Sequence, residues 1–239
     1  MHDRSAATTR DASVALATAA IALVLGALVF LISETVAAGA WTAPSYSYSA
    51  DFVSDLGNPQ CGPYGGRVVC SPSHTLMNTA FVVQGLLVGA ASWLLGRVLR
   101  ERSRVLVRSL GVATAAGFAL IGIVHSSTAT SADGTLWLHY LGATSAILGT
   151  NTLAVLLGRQ WQRLRIPSAV GRAGVGLGGA GIVAAVTWLA TFTLLPPGIL
   201  ERAAIYAFVL WQLLFGGFLL HVTQPVRLLF VRPSGGPRR

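Results

Sequence analysis

Three histidines and one aspartate of this chain could carry acid–base chemistry, namely Asp55, His74, His125 and His139. Imidazole and carboxyl groups act as general acids and bases when their surroundings bring their pKa values near the working pH. Ser126 directly follows His125 and offers a hydroxyl nucleophile, although neighbours in sequence need not share a hydrogen bond. We therefore treat these side chains as candidate catalytic residues, and the fold must bring them together.

Asp55 and His74 belong to one long polar segment, residues 46–78. If residues 50–56 form a short helix, Asp51 and Asp55 lie on one face of it, where paired carboxylates can divide the roles of acid and base. The Asn-Pro dipeptide after this stretch favours a turn. Four further polar residues of the segment are candidates for lining a binding pocket: Asp51, Ser54, Asn58 and Asn78.

The composition indicates whether this chain folds in water or in a lipid bilayer. Hydrophobic residues make up 53% and charged residues only 10%, whereas about 25% of an ordinary soluble domain is charged. The net charge of +9 comes entirely from arginine, and the arginines cluster between apolar runs. That distribution is typical of topology signals rather than of a nucleic-acid surface. The chain is thus predicted to be an integral membrane protein that binds no nucleic acid.

Six apolar runs are long enough to cross a hydrocarbon core of roughly 30 Å. The fold class is therefore an all-α, polytopic bundle of six transmembrane helices in a single domain, with a loop over 40–72 and a disordered tail over 224–239. We expect the first run to be a retained anchor, because a signal-peptide core is shorter. The predicted spans are about 13–36, 74–96, 106–125, 136–158, 173–195 and 202–222.

The arginines also predict an orientation. With both termini in the cytoplasm, every arginine except Arg67 and Arg202 lies at a cytoplasmic helix end or in a terminal segment. This agrees with the positive-inside rule. The expected location is a bacterial cytoplasmic membrane, N-in and C-in, with residues 40–72 on the extracytoplasmic side.

The two cysteines, Cys61 and Cys70, fall within that extracytoplasmic loop. In an oxidising compartment an isolated pair so close in sequence forms a disulfide more readily than a metal site. The enclosed residues GPYGGRVV contain glycines and a proline, which suit a chain reversal. We predict a structural disulfide that closes this loop.

The three histidines of the candidate set come from three different spans, and the orientation places all of them at the outer ends. We therefore hypothesise an outer-leaflet pocket lined by these histidines, Asn78 and Asp55, because ionisable groups in a membrane protein face a cavity or a partner. Three roles stay open: acid–base chemistry on a lipid or isoprenoid-like substrate, a metal or b-type haem site, and a structural hydrogen-bond network. No HExxH motif is present, and we expect no metal and no cofactor.

The ordered motifs YSYSADFVSDLGNP, SPSHTLMNTAFVVQGLL and HYLGA resemble domain-of-unknown-function family 998, which comprises predicted six-helix membrane proteins of bacteria. The resemblance covers about the first four spans. It implies the six-span fold and draws attention to residues 54–57 and His139, but it implies no reaction. The cysteines are not part of the family pattern.

The sequence thus favours a membrane protein that binds or processes a lipid or small amphiphile in a polar pocket. Membrane lipids are the expected partners. The alternative is a non-enzymatic scaffold or accessory subunit whose polar residues form a structural network.

Overall fold

The computed structural model describes residues 2–190 and 195–223. For residues 2–10 and 197 it describes the backbone alone. The described chain is helical apart from one small hairpin. Its helices are α1 (His2–Ala40), α2 (His74–Leu95), α3 (Glu101–Ile123), α4 (Thr128–Ala132), α5 (Leu136–Arg159), α6 (Ser168–Ala190) and α7 (Pro197–Thr223), and its strands are β1 (Gly62–Tyr64) and β2 (Arg67–Val69).

Six helices of the described chain are long and apolar enough to cross a membrane, as the hydropathy predicts. Large apolar side chains cover their outward surfaces; Leu86 and Val183, for example, are 64% and 65% exposed. In water such a surface would be costly, but in lipid it is the expected exterior. The chain is a multi-pass membrane protein. The apolar spans are Asp11–Ala40, His74–Val98, Glu101–Ile123, Leu136–Arg159, Ser168–Ala190 and Gly198–Thr223.

These helices differ from the predicted spans mainly at their ends. α3 ends at Ile123, so His125 lies beyond the helix rather than on its last turn. The last apolar span begins at Gly198, which places Glu201 and Arg202 inside it. The predicted fifth span reaches into residues 191–194, and the predicted disordered tail occupies 224–239; both of these stretches lie outside the described residues.

The spanning helices pack side by side in the order α1, α2, α3, α5, α6 and α7, and α7 packs back against α1. Small residues allow some of these helices to approach closely. A Cβ added to Gly117 would lie 2.7 Å from the carbonyl oxygen of Gly142, and one added to Gly142 would lie 2.8 Å from that of Gly117. Association in lipid depends on such packing because no hydrophobic effect drives helices together there.

Segment 41–73 lies across the helix ends where α1 finishes and α2 begins, and we call this the loop end of the bundle. Instead of a helix over 50–56, the chain forms a single 3-10 turn over Ser54–Gly57. Strands β1 and β2 then pair antiparallel. Cys61 and Cys70 flank the hairpin and are joined by a disulfide, which confirms the predicted pairing.

Candidate functional site

Arg202 joins the loop-end segment to two helices. This guanidinium is 6% exposed, and its Nε donates a hydrogen bond to Oε1 of Glu34 at 3.2 Å. Nη1 donates to the carbonyl oxygens of Tyr48 and Asp51 at 2.6 and 2.8 Å, and Nη2 donates to the hydroxyl of Tyr46. One buried cation thereby connects α7, α1 and the loop, and its donors are satisfied, as a buried charge requires.

Two tyrosines complete this Glu34–Arg202 cluster. The hydroxyl of Tyr206 lies 3.0 Å from both carboxylate oxygens of Glu34 and donates to them. The hydroxyl of Tyr46 donates to the carbonyl of Phe52 at 2.9 Å while it accepts from Arg202. Burial raises the pKa of Tyr46 above its usual value, against the opposing effect of the nearby guanidinium. Tyr46 therefore remains a neutral phenol that bridges a cation and a backbone carbonyl.

Asp55 forms the second buried ion pair of the loop end. Its two carboxylate oxygens accept from Nε and Nη2 of Arg67 at 3.1 and 2.9 Å, and the backbone N–H of Phe52 also donates to it at 2.9 Å. The guanidinium lies over the Phe52 ring, 4.4 Å from its centroid, and 3.9 Å from the carboxylate of Asp51. Burial raises the pKa of Asp55 above its usual value, while the bonds from Arg67 oppose the rise. Asp55 is thus fully enclosed by its partners.

Glu201 lies at the start of α7 and is 4% exposed. Its carboxylate accepts hydrogen bonds from the backbone N–H groups of Val53 and Ser54, at the start of the 3-10 turn. Donors of this kind suit a negative charge because they belong to the unsatisfied N–H groups of a helical turn. Glu201 therefore holds the 3-10 turn against the bundle.

His139, near the start of α5, is 3% exposed. Its Nδ1 lies 2.7 Å from the carbonyl oxygen of Val124. Because a carbonyl oxygen can only accept, Nδ1 must carry the proton, and in the neutral ring Nε2 is then an acceptor. The described residues provide no hydrogen-bond donor to Nε2, which leaves it available to another molecule.

A cleft of about 1050 Å³ lies at the loop end, bounded by α5, the end of α6, α4 and the hairpin. Most of its wall is apolar. Tyr140 and Leu189, which border it on α5 and α6, are 56% and 48% exposed, so the cleft is reached from the lipid-facing side. Its polar lining comes from the side chains of Ser54, Tyr64, Arg67, Ser126, Thr128, Ser131, His139, Tyr140, Thr144, Trp188 and Glu201.

A smaller cavity of about 20 Å³, roughly the space of one water molecule, continues inward from the base of the cleft. Its lining includes four phenylalanines from different helices: Phe30, Phe81, Phe118 and Phe208. Ser54, His139 and Glu201 line both the cavity and the cleft. These three polar side chains therefore mark the junction between the open cleft and the closed interior.

Of the predicted site residues, Ser54, Ser126 and His139 line the cleft. The other six are not part of its lining. Asn78 donates to the carbonyl of Gly57 at 2.8 Å, and Asp51 accepts from the backbone N–H of Ser47 at 2.7 Å. Asn58 accepts from the backbone N–H of Gln60, and His74 donates to the carbonyl of Ser71. His125 is half-buried, and Asp55 is paired with Arg67.

Sequence reasoning missed Glu34, Glu201 and Arg202 as members of this site, and Arg202 entered that reasoning only as one of the two arginines away from the cytoplasmic helix ends. A signal was available, because ionisable residues within apolar spans face a cavity or a partner. Within the described part of the chain, no three His, Cys, Asp or Glu side chains are grouped so that they could hold a metal ion.

The six apolar helices and the polar loop end define a class, that of multi-pass helical membrane proteins with a cleft at one end of the bundle. The family model described as "Protein of unknown function (DUF998)" matches residues 24–217. The chain belongs to this family, as the motifs of its first four spans predicted. Comparison with curated proteins and with solved structures gives no match.

Proposed function

We propose that this protein binds a lipid or small amphiphile in the loop-end cleft. The observation that carries the proposal is the cleft itself, which joins an apolar wall to a buried polar base. Its volume of about 1050 Å³ is at the upper end of the usual range for small-molecule sites, about 300–1,000 Å³. Such a site accommodates a molecule with a polar head and an apolar chain.

The two ends of the cleft suit the two ends of an amphiphile. At the base, Ser54, His139 and Glu201 present a hydroxyl, an imidazole and a carboxylate. Toward the lipid, Leu189 and the ring of Tyr140 offer an apolar path for a chain. Two candidate catalytic residues from the sequence, His139 and Ser126, border this space. If the ligand is processed as well as bound, His139 is the residue we expect to exchange a proton with it.

The test is native mass spectrometry of the protein released from lipid nanodiscs, together with lipid analysis of the purified material. We expect a retained amphiphile that Ala143→Phe displaces, because Ala143 lines the cleft. Ala116→Phe is the matched control, since Ala116 lies on an exposed face of α3. Only bulk lipid in the wild type, or equal retention in both variants, would contradict the proposal.

The pairing of charges favours a second candidate, a non-enzymatic scaffold or accessory subunit. Arg67 and Arg202 each have carboxylate partners within the chain, as expected of a network that holds helix ends together. If the protein is a scaffold or accessory subunit, Ala143→Phe should retain full activity in cells. A variant without the Arg202 contacts, Arg202→Met, should be inactive. A complementation assay with both variants separates the two functions.

We also propose a bacterial cytoplasmic membrane as the location, with both termini in the cytoplasm and the loop end outside. The arginine distribution supports this orientation, and the disulfide fits an oxidising compartment. Fusions of alkaline phosphatase and of a fluorescent protein to the carboxyl terminus test it. We expect fluorescence and no phosphatase activity; the opposite pair of results would reverse the topology.

A further inference from the structure

We infer that the cleft selects an amphiphile whose head donates hydrogen bonds, an alcohol or an ammonium, and rejects one with a phosphate head. This inference rests on the proposed function and names the chemical class of its ligand. The inference follows from the hydrogen-bonding groups at the base of the cleft. Some donors and acceptors there are already bonded within the chain, and others remain open to a ligand.

The first step concerns the acceptors. His139, which lines the cleft, is 97% buried, with 3% of its surface exposed, and the bond from its Nδ1 to the Val124 carbonyl leaves Nε2 as an acceptor. Glu201 contributes carboxylate oxygens at the same place. A ligand that reaches this base therefore meets two acceptor groups, one from α5 and one from α7. Hydrogen bonds to both form best when the head of the ligand carries donors.

The second step concerns the donors that a phosphate would need. Arg67 is the guanidinium that lines the cleft, but two of its nitrogens already form a bidentate pair with Asp55. Its remaining nitrogen, Nη1, donates to the carbonyl of Gly65 at 3.2 Å. Two N–H groups, one on each terminal nitrogen, remain, but a phosphate that binds them must share the guanidinium with the carboxylates of Asp55 and Asp51, which already balance its charge.

The third step concerns the balance of charge. Within the described chain, the loop end has four carboxyl groups close to two guanidinium groups. The carboxyl groups are Glu34, Asp51, Asp55 and Glu201, and the guanidinium groups are Arg67 and Arg202. The field at the cleft thus favours a cationic or neutral head, because like charges in a poorly solvated site repel strongly.

The test measures the binding of dodecylammonium, dodecanol and dodecyl phosphate to the wild-type protein in zwitterionic nanodiscs by native mass spectrometry. The chain is the same in all three probes, so differences arise from the head. We expect the ammonium and the alcohol to bind at least tenfold more tightly than the phosphate. Ala143→Phe should abolish binding of both, and Ala116→Phe should leave it unchanged.

A second arm separates the two favoured heads. Glu201→Gln keeps an oxygen that can accept from the N–H groups of Val53 and Ser54, so the 3-10 turn retains an anchor. We expect this variant to weaken ammonium binding at least tenfold relative to alcohol binding. An unchanged ratio would show that the carboxylate does not recognise the head.

The outcomes distinguish this inference from the proposed function. Phosphate binding as tight as that of the other two probes, still blocked by Ala143→Phe, overturns the inference and leaves the amphiphile site standing. If no probe binds in a manner that depends on Ala143, both are overturned.

Discussion

The loop end and the middle of the bundle achieve stability by different means. At the loop end, two guanidinium groups are enclosed by carboxylates, carbonyls and aromatic rings, and a cleft remains beside them. In the middle of the bundle, helices meet through small residues such as Gly117 and Gly142, and a single hydrogen bond of 2.8 Å joins the amides of Gln84 and Gln212. One region is held by directional polar contacts and the other by close packing.

The difference teaches where a ligand can bind in such a protein. Close packing of helices excludes any other molecule, because interior atoms already occupy the available volume. At the loop end, the hairpin, α4, α5 and the end of α6 leave the space between them unfilled. The cleft lies at the loop end for that reason, and the closely packed region serves as its rigid support.

The largest test of the comparison removes the cation of the Glu34–Arg202 cluster. Arg202→Met leaves Glu34 buried without its charge partner, and we expect the free energy of unfolding to fall by about 3–5 kcal/mol. Unfolding in mixed detergent micelles measures it. The double variant Glu34→Gln with Arg202→Met should recover part of the loss. A single-variant loss below about 1 kcal/mol, as for an exposed ion pair, would show that the loop end does not depend on this cluster.

The second test opens the disulfide. Replacing Cys61 and Cys70 by serine releases a loop with a sequence separation of nine residues, and the chain-entropy model gives a loss of about 2–3 kcal/mol. We expect faster proteolysis within the hairpin of strands β1 and β2, and a reduced free energy of unfolding. A hairpin as resistant to proteolysis as before would mean that its contacts with the bundle suffice.

The third test addresses the close-packed region. Gly117→Ala would place its Cβ 2.7 Å from a backbone oxygen and 2.8 Å from the backbone nitrogen of Ala146. Overpacking of this kind costs about 1–3 kcal/mol. Gly176→Ala is the matched control, because nothing lies within 4 Å of the added atom, and it should stabilise α6 by about 0.5–1 kcal/mol. Equal thermal stability of the two variants would contradict the role assigned to close packing.

The smallest effect concerns pH at the edge of the loop end. Burial lowers the pKa of His125 below its ordinary value of 6.5, and nearby His74 lowers it further, while a backbone hydrogen bond at Gly122 opposes the shift. The unfolded chain then takes up the proton first as pH falls. The contribution of His125 to the free energy of unfolding is therefore complete above about pH 6.5 and declines at lower pH. When thermal unfolding is measured between pH 7.5 and 5, the melting temperature of His125→Gln should vary less with pH than that of the wild type. An identical pH dependence would show that His125 does not contribute to it.

The helices could be predicted because their signal is local. Each span is a continuous apolar run, and its length against the bilayer identifies it without knowledge of any other span. The disulfide could be predicted for a related reason, since two cysteines nine residues apart have few other partners. The family motifs in the first four spans likewise depend on residues that are close in sequence.

The site was harder to predict because its contacts are distant. Arg202 and Glu34 are separated by 168 residues, and the bond from Val53 to Glu201 spans 148. Asp55 was a candidate for acid–base chemistry because its ion-pair partner Arg67 lies in a hairpin strand that the sequence shows only as part of a turn. Among the predicted site residues, Ser54, Ser126 and His139 border the cleft, and the other six lie outside its lining.

The sequence by itself determined that this is a membrane protein of six apolar helices with one disulfide-closed polar segment. Hydropathy and cysteine spacing act locally, so no partner needs to be known. Only the tertiary structure decided which charges are paired, which face of His139 stays open and where the cleft lies. Those properties depend on ion pairs and packing between distant helices, and the polar segment 46–78 is joined to α7 by hydrogen bonds with Glu201 and Arg202.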